Sequence, residues 1–334
     1  MTHETLTAYL AREVGATDLR DLLDRIASAC WEISSLVCRS ALEGKQGEAR
    51  STNPQGEVQK PLDLLADEVF ARSCSANSDV ALLISEEVEN PVTLKQPERG
   101  DLVVAYDPLD GSSNLDVDLS VGSIFAISRI ADHGDAANLP FGRQLICAGY
   151  AIYGPSTMLV LTVNGTVNGF SLDPETDTFF LTHPAMTVPP ETAEFAINVS
   201  RQRHWDRPLQ NYIADCIDGP NSRHGKAFNM RWTASMVAEV HRILIRGGIF
   251  LYPVDAENRP LGGKLRLLYE AYPMALIIEA ANGAATNGQT PILDLVPSNP
   301  HQRTGVVLGS RSEVDRVASH YFAKETAANA SHIA

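Results

Sequence analysis

Residues 102–116 read Leu-Val-Val-Ala-Tyr-Asp-Pro-Leu-Asp-Gly-Ser-Ser-Asn-Leu-Asp. The unbroken apolar run Leu102 to Tyr106 is the pattern of a short buried strand. It ends in two aspartates three positions apart. Pro108 sets φ between them and helps turn the chain, so that Asp107, Asp110 and the Leu109 carbonyl can converge on one cation. Ligands that are all oxygen suit Mg²⁺ or Mn²⁺ and not zinc. Gly111, Ser112 and Ser113 then make a small turn rich in hydroxyls. If a helical turn starts there, its free amides and dipole would hold a phosphate beside the metal. Read alone, Asp-Pro-x-Asp-Gly is an ordinary surface turn. A second acidic pair reverses that reading: Glu86-Glu87 closes another apolar run, Val80 to Ser85, and Asp116 follows the first cluster at once. Side chains at strand ends are fixed by a sheet yet open to solvent, a common place for sites.

Outward from this centre, helix and strand signals alternate. Leu19 to Ala41 carries apolar residues at 19, 22, 23, 26, 30, 33 and 37, the stripe of an amphipathic helix. The polar stretch Glu43 to Glu57 reads as a mobile loop, and a second helix runs from Pro61 to about Ser73. Strands are expected at Ser123 to Ile130, Gly149 to Tyr153 and Met158 to Phe170, the last folded at Asn164-Gly165. The proline-rich Pro184 to Glu191 is the best linker, and a strand starts at Phe195 to Val199. Helices follow at roughly 206–217, 233–246 and 264–282, with strands near 248–252 and 305–309. No repeat of fixed period appears. The expected fold is α/β, or layered α+β: helices and sheets in alternating layers, with an N-terminal domain at 1–190 carrying the acidic loops and a C-terminal domain at 191–334.

With 334 residues the chain can bury a sizeable core. A net charge of −14 disfavours nucleic acid and anionic membranes as partners, because the long-range field repels phosphates. A small anionic substrate is compatible with that charge if metals and a few basic residues reverse the sign locally. No apolar run reaches membrane-spanning length and the N-terminus lacks a signal pattern, so a cytoplasmic protein is expected. Cys30, Cys38, Cys74, Cys147 and Cys216 form no Cys-x-x-Cys, which argues against a zinc site or a disulfide framework.

Together, Ile84-Ser-Glu-Glu, Asp107-Pro-Leu-Asp-Gly-Ser-Ser-Asn-Leu-Asp116, Gly149-Tyr-Ala-Ile-Tyr-Gly, Ser235-Met-Val-Ala-Glu-Val-His-Arg, Gly247-Gly-Ile-Phe-Leu-Tyr-Pro253, Gly263-Lys-Leu-Arg-Leu-Leu-Tyr-Glu270 and His301-Gln-Arg resemble the class I fructose-1,6-bisphosphatase family, in order and from about Leu19 to Val314. The resemblance implies Mg²⁺-dependent hydrolysis of the 1-phosphate of fructose 1,6-bisphosphate, as in gluconeogenesis or the Calvin cycle, by a homotetramer with two or more metal ions per subunit. It implies metal ligation by Glu86, Asp107, the Leu109 carbonyl, Asp110 and Glu270, and it matches Asp63 and Glu87 to the pair that orients and deprotonates the attacking water. Gly111, Ser112 and Ser113 match the 1-phosphate cradle. Asn198, Arg231, Tyr252 and Lys264 match contacts to the sugar and its 6-phosphate, with Arg231 coming from a neighbouring subunit.

Each residue also has a plainer reading. Lys264 and Arg266 could face water at a helix start, Tyr252 could be a core aromatic, and Arg231 a surface arginine. Glu270 is harder to dismiss, since a carboxylate on an apolar helix is costly unless paired or metal-bound.

Two departures from the family pattern stand out. Asp101-Leu102 occupies the place of a Lys-Tyr found in members that bind AMP, although Arg129 is retained. Arg201 and Trp232 stand where tyrosines are usual at the 6-phosphate end; together they are expected to rebuild the remote phosphate pocket and widen substrate choice, and the plainer reading of Arg201 is a solvent-facing member of the basic run Arg201-Gln-Arg-His204. No long cysteine-bearing insertion lies between Ala131 and Arg143. The alternatives are a sedoheptulose-1,7-bisphosphatase or dual-specificity enzyme and, in another class, a catalytically silent metabolite sensor.

Overall fold

The computed structural model describes residues 3–44, 56, 59–94, 100–130, 141–223 and 225–331, with side chains as far as 321. Nearly all of the polar stretch 43–57 and most of 131–143 lie outside these residues.

Helices α1 (Leu6–Glu13), α2 (Thr17–Arg39) and α3 (Pro61–Ser75) open the chain. Strands β1 (Val80–Ser85), β2 (Val92–Thr93), β3 (Leu102–Asp110), β4 (Val121–Arg129), β5 (Cys147–Tyr153), β6 (Thr157–Val163), β7 (Thr166–Asp173) and β8 (Thr178–His183) follow and form one sheet, ordered β2-β1-β3-β4-β5-β6-β7-β8. Only β1 and β3 run parallel within it. The C-terminal part contains β9 (Glu194–Ala196), α4 (Arg207–Ile217), β10 (Asn229–Met230), α5 (Met236–Arg246), β11 (Ile249–Tyr252), β12 (Leu265–Arg266), α6 (Tyr272–Ala280), β13 (Ala284–Thr286), β14 (Arg303–Thr304), β15 (Val306–Gly309) and α7 (Arg311–Ser331). Its five-stranded sheet has the order β10-β9-β11-β15-β13, and β12 pairs with β14.

Strand periodicity assigns the layers. On β3, Leu102, Val104 and Tyr106 face α1 to α3 and pack with Leu22, Ile26 and Phe70. Val103 and Ala105 point the other way, into a core shared with Val240 and Ile243 of α5 and Ile277 and Ile278 of α6. Phe250, Val306 and Leu308 close that core from the second sheet. Ile249, Leu251 and Val307 alternate with them and pack outward on Leu209 and Ile213 of α4 and Val314 and Val317 of α7. The result is five layers, helix, sheet, helix, sheet, helix, in agreement with the expected alternation.

Two local expectations are corrected. Pro108 does not turn the chain at the end of a strand. β3 continues to Asp110, and the extra residue is absorbed as a bulge: Asp107 opposes Ile124 while Asp110 opposes Gly122. The Pro108 carbonyl takes a hydrogen bond from Ser123 Oγ at 2.7 Å. Nor is 264–282 one helix. Leu265–Arg266 pairs as a strand, Leu267–Ala271 is a π-helical turn, and only Tyr272–Ala280 is α-helical. Pro273 has no amide to donate backwards, and just before it the wider turn closes with the Tyr272 amide on the Leu267 carbonyl. α1, β8 and α7 are elements that hydropathy patterning alone did not separate from loop.

Candidate active site

The acidic residues meet where β1 and β3, the parallel pair, release the chain. Ser85 Oγ donates to Asp67 Oδ1 at 2.5 Å, tying the end of β1 to α3, and the Glu86 amide still donates to the Tyr106 carbonyl at 3.2 Å. Glu86 and Glu87 are therefore delivered beside the bulge of β3. Within the bulge the Leu109 amide donates to Asp107 Oδ1 at 3.0 Å. Asp110 Oδ2 accepts from Ser235 Oγ at 2.8 Å and from the Val237 amide at 3.0 Å, both at the start of α5. The π turn brings in Glu270, whose Oε2 accepts from the Arg266 amide at 2.5 Å. Asp107, Asp110 and Glu270, all buried, each offer a carboxylate oxygen within 4.8 Å of the others.

Gly111 follows with φ +72°. A Cβ there would lie 2.9 Å from Ser235 Cβ in a conformation that side chains resist, so the turn requires glycine. A 3₁₀ turn, Ser112–Val117, begins immediately and is held by Asn114 Nδ2 on the Thr233 carbonyl at 2.7 Å.

These groups line a cavity of about 450 Å³. Asp63, Glu86, Glu87, Asp107, Leu109, Asp110, Gly111, Ser112, Ser113 and Glu270 are part of its lining, as are Asn198, Tyr252 and Lys264. Every expected site residue but two is brought together. Arg201 is absent from the lining: its guanidinium is bidentate to buried Asp255 (Nε–Oδ2 2.6 Å, Nη2–Oδ1 2.8 Å) and also pairs with Glu257 at 3.1 Å. Three of its five N–H groups are thereby engaged with carboxylates, and the side chain borders a small void beside Asn198, Trp232 and Tyr252. Arg231 is half exposed outside its own chain's cavity, 3.5 Å from Glu194, a carboxylate also gripped by Arg242 and Arg246.

The site holds more than the acidic motifs announce. Arg266 does not face water. It is 3% exposed and pairs with Glu86 and Glu270. Its four-residue spacing from Glu270 and its position inside an apolar run were the available signals, since a buried guanidinium needs carboxylate partners. Gln59 donates to Glu87, and Lys60 reaches Asp116 at 2.6 Å. Trp232 lines the cavity and stacks on Phe250 with ring centres 6.1 Å apart.

Six carboxyl groups share this cavity with three basic side chains, Lys60, Lys264 and Arg266. Burial lifts the proton affinity of Asp107, Asp110 and Glu270, and for Asp107 repulsion from neighbouring carboxylates comes next. Asp110 is pushed up to about 6 and Glu270 to about 8, the latter despite Arg266, and Asp107 lies well above the usual carboxylate range. Burial similarly raises Asp63 to about 6 and Glu87 to about 8, against hydrogen bonds that work the other way. Asp63 Oδ2 accepts from the Lys60 amide at 2.6 Å, whereas its buried Oδ1 has no hydrogen-bond partner among the described residues. A buried, all-oxygen donor set with surplus negative charge and an orphaned acceptor fits hard divalent cations and ordered water.

Family models match almost end to end. The fructose-1,6-bisphosphatase N-terminal domain covers residues 5–184 and the fructose-1,6-bisphosphatase C-terminal domain covers 188–322. Among solved structures, the holo form of Leishmania major fructose-1,6-bisphosphatase superposes with a TM-score of 0.91 at 35% identity, over 96% of this chain and 99% of that one. The apo form of the same protein gives 0.85 at 33% identity, and its T-state 0.85 at 34%, over the same shares.

Proposed function

Starting from the premise that this chain belongs to the fructose-1,6-bisphosphatase family and is a hydrolase of fructose 1,6-bisphosphate, we propose which of its residues carry out the reaction. The convergence of Asp107, Asp110 and Glu270 in a cavity that also holds Lys264 carries the assignment. The family uses divalent metal. Glu86, Asp107, the Leu109 carbonyl, Asp110 and Glu270 would hold it, as two or more Mg²⁺ ions with Mn²⁺ able to replace them. When bound, the metal neutralises phosphoryl oxygens, acidifies water and stabilises the departing sugar oxygen.

The chain's own groups do the rest. Gly111, Ser112 and Ser113 cradle the 1-phosphate with hydroxyls and amides, and Arg266 balances the carboxylates beside it. Glu87, steadied by Gln59 and assisted by Asp63, takes the proton of the attacking water. The water oxygen bonds to phosphorus, the bond from phosphorus to the oxygen on carbon 1 breaks, and that oxygen takes up a proton, giving fructose 6-phosphate and phosphate. Asn198, Tyr252 and Lys264 hold the remote phosphate, turning its binding energy into alignment at the scissile one. Arg231 joins them from a neighbouring subunit of a homotetramer; a fully active monomer by light scattering at assay concentration would refute that part.

Residues 1–190 and 191–334 are proposed as the two domains, supported by family models that meet between 184 and 188. No described helix is long and apolar enough to cross a membrane, and a cytoplasmic location is the companion reading. The alternative substrate, sedoheptulose 1,7-bisphosphate, turns on Arg201 and Trp232 at the remote end, where Arg201 is paired with Asp255 and Glu257 and Trp232 lines the cavity. A silent sensor is disfavoured because all five proposed metal ligands line the cavity. The deciding experiment is phosphate release from fructose 1,6-bisphosphate with Mg²⁺, before and after chelation, by wild type and Asp110→Ala. Loss of nearly all turnover in the chelated enzyme and in a folded variant is expected. Full activity in either would reject the assignment.

A further inference from the structure

The wall that carries Asn198 and Tyr252 is backed by an ion pair that does not line the main cavity. Asp255, 1% exposed, lies three residues beyond the end of β11. Besides both bonds from Arg201, its Oδ1 accepts from the amides of Glu257 and Asn258, each at 3.0 Å. Asn258 Oδ1 accepts from the Asp255 amide at 2.8 Å, and Asn258 Nδ2 donates to the Pro253 carbonyl at 3.2 Å. The Asn258 carbonyl accepts from the Gly263 amide at 3.1 Å, and the next residue is Lys264. One carboxylate thus organises the whole loop 253–263 that delivers Lys264.

On the other side, Arg201 belongs to the 3₁₀ turn Val199–His204. Asn198 caps that turn, and its carbonyl accepts from the Arg201 amide at 3.1 Å. A void of about 10 Å³, bounded by Asn198, Arg201, Trp232, Tyr252 and Asp255, separates this clasp from the site. Burial works against a charged Asp255, but the Arg201 and backbone hydrogen bonds outweigh it, and the carboxyl stays below its ordinary range.

We infer that Asp255 is a positioning residue: by gripping Arg201 and closing the 253–263 loop, it fixes the spacing of Asn198 and Tyr252 from Lys264 and so tunes the enzyme to a substrate whose second phosphate fills that gap. The inference rests on the reading of Asn198, Tyr252 and Lys264 as remote-phosphate contacts. A carboxylate that accepts from a guanidinium fork and two amides at once cannot be replaced by a carboxamide, which turns one acceptor into a donor facing donors.

The test compares kcat/KM for fructose 1,6-bisphosphate with that for fructose 1-phosphate, which lacks the remote phosphate, in wild type, Asp255→Asn and Lys264→Ala. The ratio of the two is expected to fall roughly tenfold or more in Asp255→Asn, with kcat for the bisphosphate falling as well as KM rising, because small misplacements of positioning groups are costly. An unchanged ratio in Asp255→Asn, alongside a fallen ratio in Lys264→Ala, would overturn the inference and leave the pair purely structural. An unchanged ratio in Lys264→Ala would instead sink the underlying reading of the remote pocket, and the inference with it. Should Asp255→Asn fail to fold, Arg201→Gln, on the more exposed side of the pair, carries the same comparison with the same expected and refuting results.

Discussion

Ser235 and Asp110, 125 positions apart in sequence, meet through a 2.8 Å hydrogen bond from Oγ to Oδ2. The same Ser235 Oγ caps α5 by accepting from the Ala238 amide at 3.3 Å. A single hydroxyl thereby couples the start of a helix from the C-terminal half to a proposed metal ligand from the N-terminal half. With Oδ2 held by Ser235 and Val237, the Asp110 carboxylate has a fixed orientation towards Asp107 and Glu270. Partners behind a ligand commonly contribute about 10–100-fold in metal affinity or activity. Ser235→Ala should therefore weaken Mg²⁺ activation by that order, with some loss of helix stability from the missing cap. Titrating activity and melting temperature against Mg²⁺ checks it: wild type should gain stability with added metal, the variant only at higher concentration. Identical Mg²⁺ dependence in the two proteins would count against the ligand assignment for Asp110.

Glu87 is the proposed base, and its geometry separates it from the ligands. It is held by Gln59 and by its own amide on Ser85 Oγ at 3.1 Å, while Asp107, Asp110 and Glu270 form the tight cluster without it. Glu87→Gln keeps the shape and removes the basic oxygen. A fall in kcat of roughly 10²–10⁴ is expected, with KM little changed. Stopped-assay phosphate release across substrate concentrations separates the two constants, and an unaltered kcat would return the role to another group.

Arg129, at the end of β4, is committed to two carboxylates. It pairs with Asp18 at the start of α2 and with Asp101 just before β3, both at 2.5 Å. Leu102, the other residue at the departing position, is fully buried. An incoming nucleotide phosphate would have to displace Asp101 and approach Asp18 as well, against like charge. Micromolar AMP should leave the enzyme uninhibited. Micromolar inhibition of wild type, seen directly in initial rates, would show that Arg129 exchanges partners readily.

Much of this molecule is legible in its sequence because apolar periodicity and strand ends are local signals. Leu19 to Ala41 shows its helix through a repeating stripe, and Glu86, Asp107 and Asp110 betray a site because carboxylates crowd the ends of apolar runs. What stayed hidden depended on distant partners. Nothing near Arg201 in sequence announces Asp255, so the ion pair between them is not legible there. Nothing near Asp110 announces Ser235. The bulge at Pro108 needed the β4 register to be seen, since a proline between aspartates suits a turn equally well. A single helix from 264 would leave Arg266 solvent-facing; the strand pairing of Leu265–Arg266 with β14 and the π turn after it place the side chain inside.

His241 supplies a pH signature independent of the metal site. It projects from α5 towards β5, where Nδ1 lies 2.9 Å from Tyr150 Oη and the two rings meet edge to face at 6.0 Å. Burial, and secondarily the charge of His183, lowers its pKa from the ordinary 6.5 to about 4. The sign follows from which state binds the proton. Above pH 6.5 the imidazole is neutral folded or unfolded, and the full contribution to stability is present. As pH falls from 6.5 towards 4 the unfolded chain takes up a proton that the folded one refuses, and stability declines by at most about 1.4 kcal/mol per pH unit for one proton. His241→Gln cannot be protonated in this range. Its urea midpoint should consequently fall less between pH 6.5 and 5 than that of wild type, while the two change in parallel between pH 8 and 7. Comparing the proteins at each pH cancels the carboxylate contributions common to both. Parallel curves over the whole range would mean that His241 accepts its proton in the folded state as easily as in water, and that the contact with Tyr150 does not require the neutral ring.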